Sequence, residues 1–226
     1  LRQGDHVLAS RSLFGSTHQL LTRIFPKWGI SHTYGDISDI DKWEELVQPN
    51  TKMLFIETPS NPLLTITDLE AVATIAKKHG ITTLIDNTFA SPVNQNPIDF
   101  GIDVVIHSAT KYMGGHSDIC AGAVASTKEN MERIFHLAKN FGGSLSDYTV
   151  WLLERSMKTM GIRVRAQNEN ALAMAHFLDG LSQIEKVYYP GLPSHQDHEI
   201  AKKQMKGFGG MLSFELNSDL DASQFQ

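Results

Sequence analysis

The sequence predicts an α/β fold built on a mostly parallel sheet. Short apolar runs rich in β-branched residues alternate with amphipathic stretches, the mark of βαβ units. Helix-start and helix-stop signals punctuate the intervals between the runs. Three of the runs also end in or near polar residues, at Glu57, at Asp86 and at His107-Ser108. In open α/β sheets the ligand lies beyond the carboxyl ends of the strands, so these ends are the candidate site.

In chain order, strands are predicted at His6–Ala9, Ile30–Tyr34, Met53–Glu57, Thr82–Asp86, Val104–His107 and Ala121–Ala125. Thr67-Asp68-Leu69-Glu70 and Ser126-Thr127-Lys128-Glu129 read as capping boxes, with hydroxyl and carboxylate three residues apart. Gly80, after Lys77-Lys78-His79, is a helix stop. From Ser146 to about Leu181 the pattern is helical, with Trp151, Leu152, Met157, Met160, Ala171, Met174 and Phe177 as its apolar face and a break or bend at Gly161. A strand near Lys186–Tyr189, a Pro190-Gly191-Leu192-Pro193 loop, a helix around Glu199–Met205 and a strand at Met211–Leu216 follow. We expect a large domain over 1–160 and the beginning of a smaller α+β domain over 161–226. The sequence opens without methionine and stops in mid-pattern, as a fragment would.

Composition narrows the function classes. Twenty Lys and Arg against 25 Asp and Glu leave a net charge of −5, without the basic footprint of a nucleic-acid binder. No apolar run reaches the roughly 18 residues that a membrane span needs. The single cysteine, Cys120, cannot pair within the chain, which points to a reducing compartment and a cytoplasmic location. Between Ile119 and Ala121 it reads as a small buried hydrophobe.

The chemistry concentrates in Asp86-Asn87-Thr88-Phe89 and His107-Ser108-Ala109-Thr110-Lys111-Tyr112. A lysine just after a buried-type strand, preceded by two hydroxyls and followed by Gly114-Gly115, is out of place as a surface charge. Pyridoxal 5'-phosphate requires an amine for a Schiff base, an acid for its pyridinium nitrogen and donors for its phosphate. Lys111 can be the amine, Asp86 the acid, and Ser108 and Thr110 the hydroxyl donors. Taken alone, Asp86 would serve as a loop cap and Lys111 as a solvated lysine; both at strand ends, with the Ser-x-Thr-Lys run, point to the cofactor.

These two segments resemble the Cys/Met-metabolism family of pyridoxal-phosphate enzymes, which spans cystathionine γ-synthases and lyases, methionine γ-lyases and homoserine-ester sulfhydrylases. Glu57-Thr58-Pro59-Ser60-Asn61-Pro62, Pro190-Gly191-Leu192 and Gly209-Gly210-Met211 agree, so the resemblance covers essentially the whole chain. It implies the fold-type I architecture, with a seven-stranded type of sheet and helices on both faces. It also implies a homotetramer of two active dimers and a small amino-acid substrate, with no nucleic-acid or membrane partner. Residue by residue, Lys111 matches the Schiff-base lysine, Asp86 the pyridinium partner, and Ser108 and Thr110 phosphate ligands. Asn61 matches the asparagine bonded to the phenolic oxygen, and Phe14 falls where most members stack a tyrosine on the ring. Further phosphate contacts would precede residue 1, and the arginine for the substrate carboxylate would follow residue 226.

Ser10-Arg11-Ser12-Leu13-Phe14-Gly15-Ser16 is similar to the O-succinylhomoserine sulfhydrylases, where phenylalanine is usual, whereas Met113-Gly114-Gly115-His116-Ser117-Asp118 is closer to the synthases and lyases. A phenylalanine keeps the stacking face and lacks the acid–base hydroxyl. The expected function is γ-replacement on an O-acylated homoserine by sulfide or a thiol, giving homocysteine. Cystathionine γ-synthase, cystathionine lyase, methionine γ-lyase and a non-catalytic cofactor-binding regulator are the alternatives. His195-Gln196-Asp197-His198 reads as a solvated loop rather than a metal site, His116 as a surface or structural residue, and Gly207-Phe208-Gly209-Gly210 as a turn.

Overall fold

The computed structural model describes residues 1–217. Six strands form the main sheet: β1 (His6–Ser10), β2 (Ser31–Gly35), β3 (Thr51–Glu57), β4 (Thr82–Asp86), β5 (Val104–Ser108) and β6 (Gly122–Ser126). Their order is β2-β1-β3-β4-β5-β6, parallel except for the antiparallel β5–β6 pair. Among the described residues the sheet is thus one strand short of the seven-stranded type that the resemblance implied.

Both faces are covered, which is why the central strands read as continuous apolar runs. On one face, Leu8, Leu54, Ile56, Ile85 and Val105 pack against Trp43 and against α2 (Leu69–His79). Fully burying Leu69, Val72 or Ile75 of α2 stabilises by roughly 1.5–3 kcal/mol each. On the other face, Val7, Ala9 and Phe55 meet Leu21 and Phe25, which lie on the helical segment opened by α1 (Gly15–Gln19).

Neither expected capping box forms: in both helices the N-cap lies one residue later, and the residue three positions on is then Ala71 or Asn130, without a carboxylate to bond back. The cap of α2 is Asp68, whose carboxylate accepts the Ala71 N–H at 3.0 Å, while the buried Thr67 hydroxyl has no partner. Thr67 is held elsewhere: its N–H donates to the Thr58 hydroxyl and its carbonyl accepts from Gln204. Thr127, not Ser126, caps α4 (Lys128–Phe141), because the Ser126 hydroxyl donates to the Asp103 carbonyl at 2.6 Å. Gly80 ends α2 as expected, in the left-handed conformation.

After the short α3 (Ser91–Asn94) and α4 come α5 (Asp147–Met157) and α6 (Met160–Asp179), with the break at Lys158-Thr159 rather than at Gly161. The buried stripe of α6 is Val164, Ala171, Ala175 and Leu178; Trp151, Met157, Met174 and Phe177, expected on the apolar face, are exposed. β7 (Ile184–Tyr188) and β8 (Ser213–Leu216) form a separate antiparallel pair packed on α6. Between them, α7 (His198–Gln204) docks Ala201 and Met205 on Ile66 and Ala90.

His195-Gln196-Asp197-His198 is therefore not a solvated loop. His195 is buried, Asp197 accepts the Ile66 N–H at 2.8 Å, and His198 bonds the Pro190 carbonyl. Cys120 is exposed, contrary to the buried reading, because its apolar neighbours Ile119 and Ala121 turn inward instead. No helix among the described residues is long and apolar enough to cross a membrane.

Candidate active site

The chain runs from β1 to β2 on one side and returns to place β3 on the other side of β1. Such a reversal of strand order opens a crevice beyond the carboxyl ends of the two strands. The segment after β1 supplies Phe14 to this crevice, and the last residue of β3 supplies Glu57. Strand register sets Glu57 beside Asp86, the last residue of β4, and Asp86 beside Ile106 of β5.

Glu57 organises the first part of the site. Its Oε2 accepts the Phe14 N–H at 2.6 Å, and the carboxylate also accepts the Asn61 N–H. Burial pushes its pKa up to about 7, against these two N–H bonds, and the neighbouring Asp86 charge adds to the rise. Phe14 caps the start of α1 with an exposed ring, and Asn61 is exposed at the turn after β3.

Thr88 organises the second part. Its hydroxyl donates to Asp86 Oδ1 at 2.5 Å and accepts the Ser108 N–H at 2.7 Å, and its own N–H reaches the same Oδ1 at 3.0 Å. Asp86 is partly buried, and burial holds its pKa above the usual range despite the Thr88 bonds. No cation among the described residues pairs with it.

From Ser108 the chain turns directly to Lys111, whose N–H donates to the Ser108 carbonyl at 3.0 Å. Lys111 opens on a cavity of about 570 Å³ lined also by Phe89, Thr110, Tyr112, Gln167 and Met211. The Thr110 hydroxyl accepts the Ala121 N–H at 3.0 Å, tying the lysine turn to the approach to β6. Tyr112 ties the cavity to the segment that leads into β8: its hydroxyl accepts the Gly210 N–H at 3.1 Å. The Gly207–Gly210 turn is thus a wall of the cavity. A hollow of about 630 Å³ lined by Glu70, Lys77 and Asp103 lies at the opposite ends of β4 and β5, away from these groups.

His107 is the strand-end residue that does not join. It alternates to the other face of β5, beside Asn87 and Gln95, where burial lowers its pKa to about 4. His116 is exposed and bonds the Gly114 carbonyl. Glu57 and Thr88 stand in the quoted motifs without an assigned role; a carboxylate in register with Asp86, and a hydroxyl two residues after an aspartate, were the signals available.

The family model for Cys/Met metabolism PLP-dependent enzymes matches residues 1–226. The chain belongs to that family. It is 42% identical over 224 residues to a probable cystathionine gamma-synthase of Herpetosiphon aurantiacus, covering 99% of this chain and 70% of the relative. To an O-succinylhomoserine sulfhydrylase of Pseudomonas aeruginosa it is 44% identical, covering 97% of this chain and 55% of the relative. The crystal structure of cystathionine gamma-lyase from Lactobacillus plantarum, complexed with L-serine, superposes with a TM-score of 0.97 at 41% identity. That superposition covers 100% of this chain and 59% of the lyase, so this chain spans little more than half of the lyase's length.

The site residues fit the family's cofactor, pyridoxal 5'-phosphate. Asp86 is a partly buried carboxylate that pairs with no cation among the described residues, which is the environment that a ring N–H⁺ would complete. Lys111 and Thr110 line the cavity described above, whereas Asp86, Ser108, Asn61 and Phe14 are not among its lining residues.

Proposed function

We propose that the complete protein replaces the γ-substituent of an O-acylated homoserine with sulfide or a thiol, giving homocysteine when sulfide is used. Lys111 would link the cofactor, Asp86 would accept its ring N–H, and Ser108 and Thr110 would meet its phosphate. Asn61 would bond its phenolic oxygen, and Phe14 would cover its ring. Bound there, pyridoxal 5'-phosphate supplies an electron-withdrawing ring that stabilises negative charge on the carbons of an attached amino acid. Lys111 Nζ takes and returns the substrate's α proton inside the cavity. Thr88 fixes the Asp86 carboxylate, and Glu57 fixes the backbone of Phe14 and Asn61.

The single observation that carries the choice of substrate is Phe14 itself. It stands at the crevice between β1 and β3, its N–H held by Glu57, and its side chain has no proton to give. An ester carboxylate leaves as a stable anion without a general acid, whereas a thiolate gains from one. The Pseudomonas aeruginosa relative, an O-succinylhomoserine sulfhydrylase, supports this reading. Cystathionine synthesis or cleavage is the second reading, favoured by the other two relatives. We take 1–160 as the cofactor-binding domain and 161–226 as the beginning of the second, of which 218–226 lie outside the described residues. A homotetramer of two dimers in the cytoplasm belongs to the same proposal.

Steady-state kinetics of the full-length protein on O-succinylhomoserine, O-acetylhomoserine, cystathionine and methionine test it. Homocysteine formed from an ester and sulfide as the fastest reaction is the expected result. Faster elimination from methionine or cystathionine than from either ester overturns it.

A further inference from the structure

Arg163, in the first turns of α6, has no carboxylate partner among the described residues. Its guanidinium is spent on the main chain instead. Nη1 donates to the Tyr112 carbonyl at 2.8 Å, and Nη2 to the Ser156 carbonyl at 2.9 Å and the Met113 carbonyl at 3.3 Å. Nε donates to the Thr159 hydroxyl at 3.1 Å.

The carbonyls of Tyr112 and Met113 close the turn that carries Lys111. That turn starts with Lys111 N–H to Ser108 O at 3.0 Å and ends with Gly115 N–H to Lys111 O at 2.7 Å. Carbonyls at such an end have no partner within the turn, and a planar fork of N–H donors can collect several of them at once. Gly115 leaves the room: its φ is +76°, and a Cβ there would stand 1.9 Å from Arg163 Nη1. Ser156 and Thr159 lie at the α5–α6 corner, so one side chain joins that corner to the two residues that follow Lys111. One helical turn further on, Gln167 lines the Lys111 cavity.

We propose that Arg163 is a positioning residue for Lys111, its guanidinium gathering the Tyr112, Met113 and Ser156 carbonyls and thereby fixing the lysine turn against the start of α6. This rests on Lys111 being the amine that links the cofactor. A lysine at 163 has the charge without the fork and meets only part of the requirement.

The test uses full-length apoprotein and added pyridoxal 5'-phosphate. Fluorescence quenching follows cofactor binding, and the absorbance of the lysine-linked cofactor follows linkage. Arg163→Met is expected to slow linkage about tenfold, a modest cost for a reacting group out of place, while binding and circular dichroism stay native. Arg163→Lys should lie between, and Arg165→Met, which removes a nearby exposed charge, should match wild type. Linkage by Arg163→Met within twofold of wild type, or equal slowing by Arg165→Met, overturns the proposal. So does loss of binding in parallel with linkage. Should the methionine variant fail to fold, Arg163→Lys decides: an intermediate rate at native dichroism supports the proposal, and a wild-type rate overturns it. Linked absorbance surviving in Lys111→Ala would sink the lysine assignment along with it; a wild-type rate in Arg163→Met with the cofactor mapped to Lys111 sinks this inference alone.

Discussion

The Glu57 carboxylate at the end of β3 accepts the backbone N–H of Phe14 at 2.6 Å, across the crevice where the strand order reverses. The two residues are 43 positions apart in sequence, and the bond fixes the entry to α1 against the central sheet. An acid buried in this way titrates late, and that has a measurable consequence.

Burial holds Glu57 at about 7, above the usual 4.5, so the folded apoprotein binds more protons there than the unfolded chain does. Stability contributed at this position falls as pH rises through that window and is flat above it. Glu57→Gln removes the titration. Relative to wild type, the variant should therefore gain thermal stability steadily from about pH 4.5 to pH 7 and hold a constant offset beyond. Asp86, also raised, titrates in both proteins and adds a slope of the same sign to each. Thermal unfolding of the two apoproteins from acid to mildly alkaline pH reads this, and parallel curves would contradict the placement of Glu57.

Lys111→Ala should abolish the absorbance of lysine-linked cofactor in the full-length protein. Borohydride reduction of wild type followed by tryptic mapping should place the label on Lys111, and a label on another lysine refutes the assignment.

Asp86→Ala should keep some cofactor and lose turnover by on the order of 10²-fold, because preorganised charge at such a site is worth several kcal/mol. Thr88→Val should lose less, since the carboxylate survives without the hydroxyl that bridges it to Ser108. Asp86→Ala within about threefold of wild type in rate would leave Asp86 without the proposed role.

Phe14→Tyr supplies a hydroxyl at the crevice without touching the bond to Glu57, which uses the backbone. It should narrow the preference for esters over cystathionine and methionine, chiefly by raising the thiolate-leaving rate. Unchanged ratios of kcat/KM across the four substrates would show that the side chain at 14 does not govern the leaving group.

The sequence by itself determined the strands and their polar carboxyl ends, because these are local: β-branched runs and turn residues are read within a few residues. It also placed both helix caps one residue early: the Thr67 backbone is held by Thr58 and Gln204, and the Ser126 hydroxyl is taken by the Asp103 carbonyl. Tertiary structure alone decided which strand ends share a face. His107 lies one residue from Ser108 and points away from the site, because side chains alternate across a strand and only the sheet's packing says which face is which. It alone also joined Phe14 to Glu57 and Arg163 to Tyr112, 43 and 51 positions apart. A buried carboxylate and a guanidinium take whichever N–H or carbonyl the fold brings within about 3 Å, and sequence spacing carries no record of that approach.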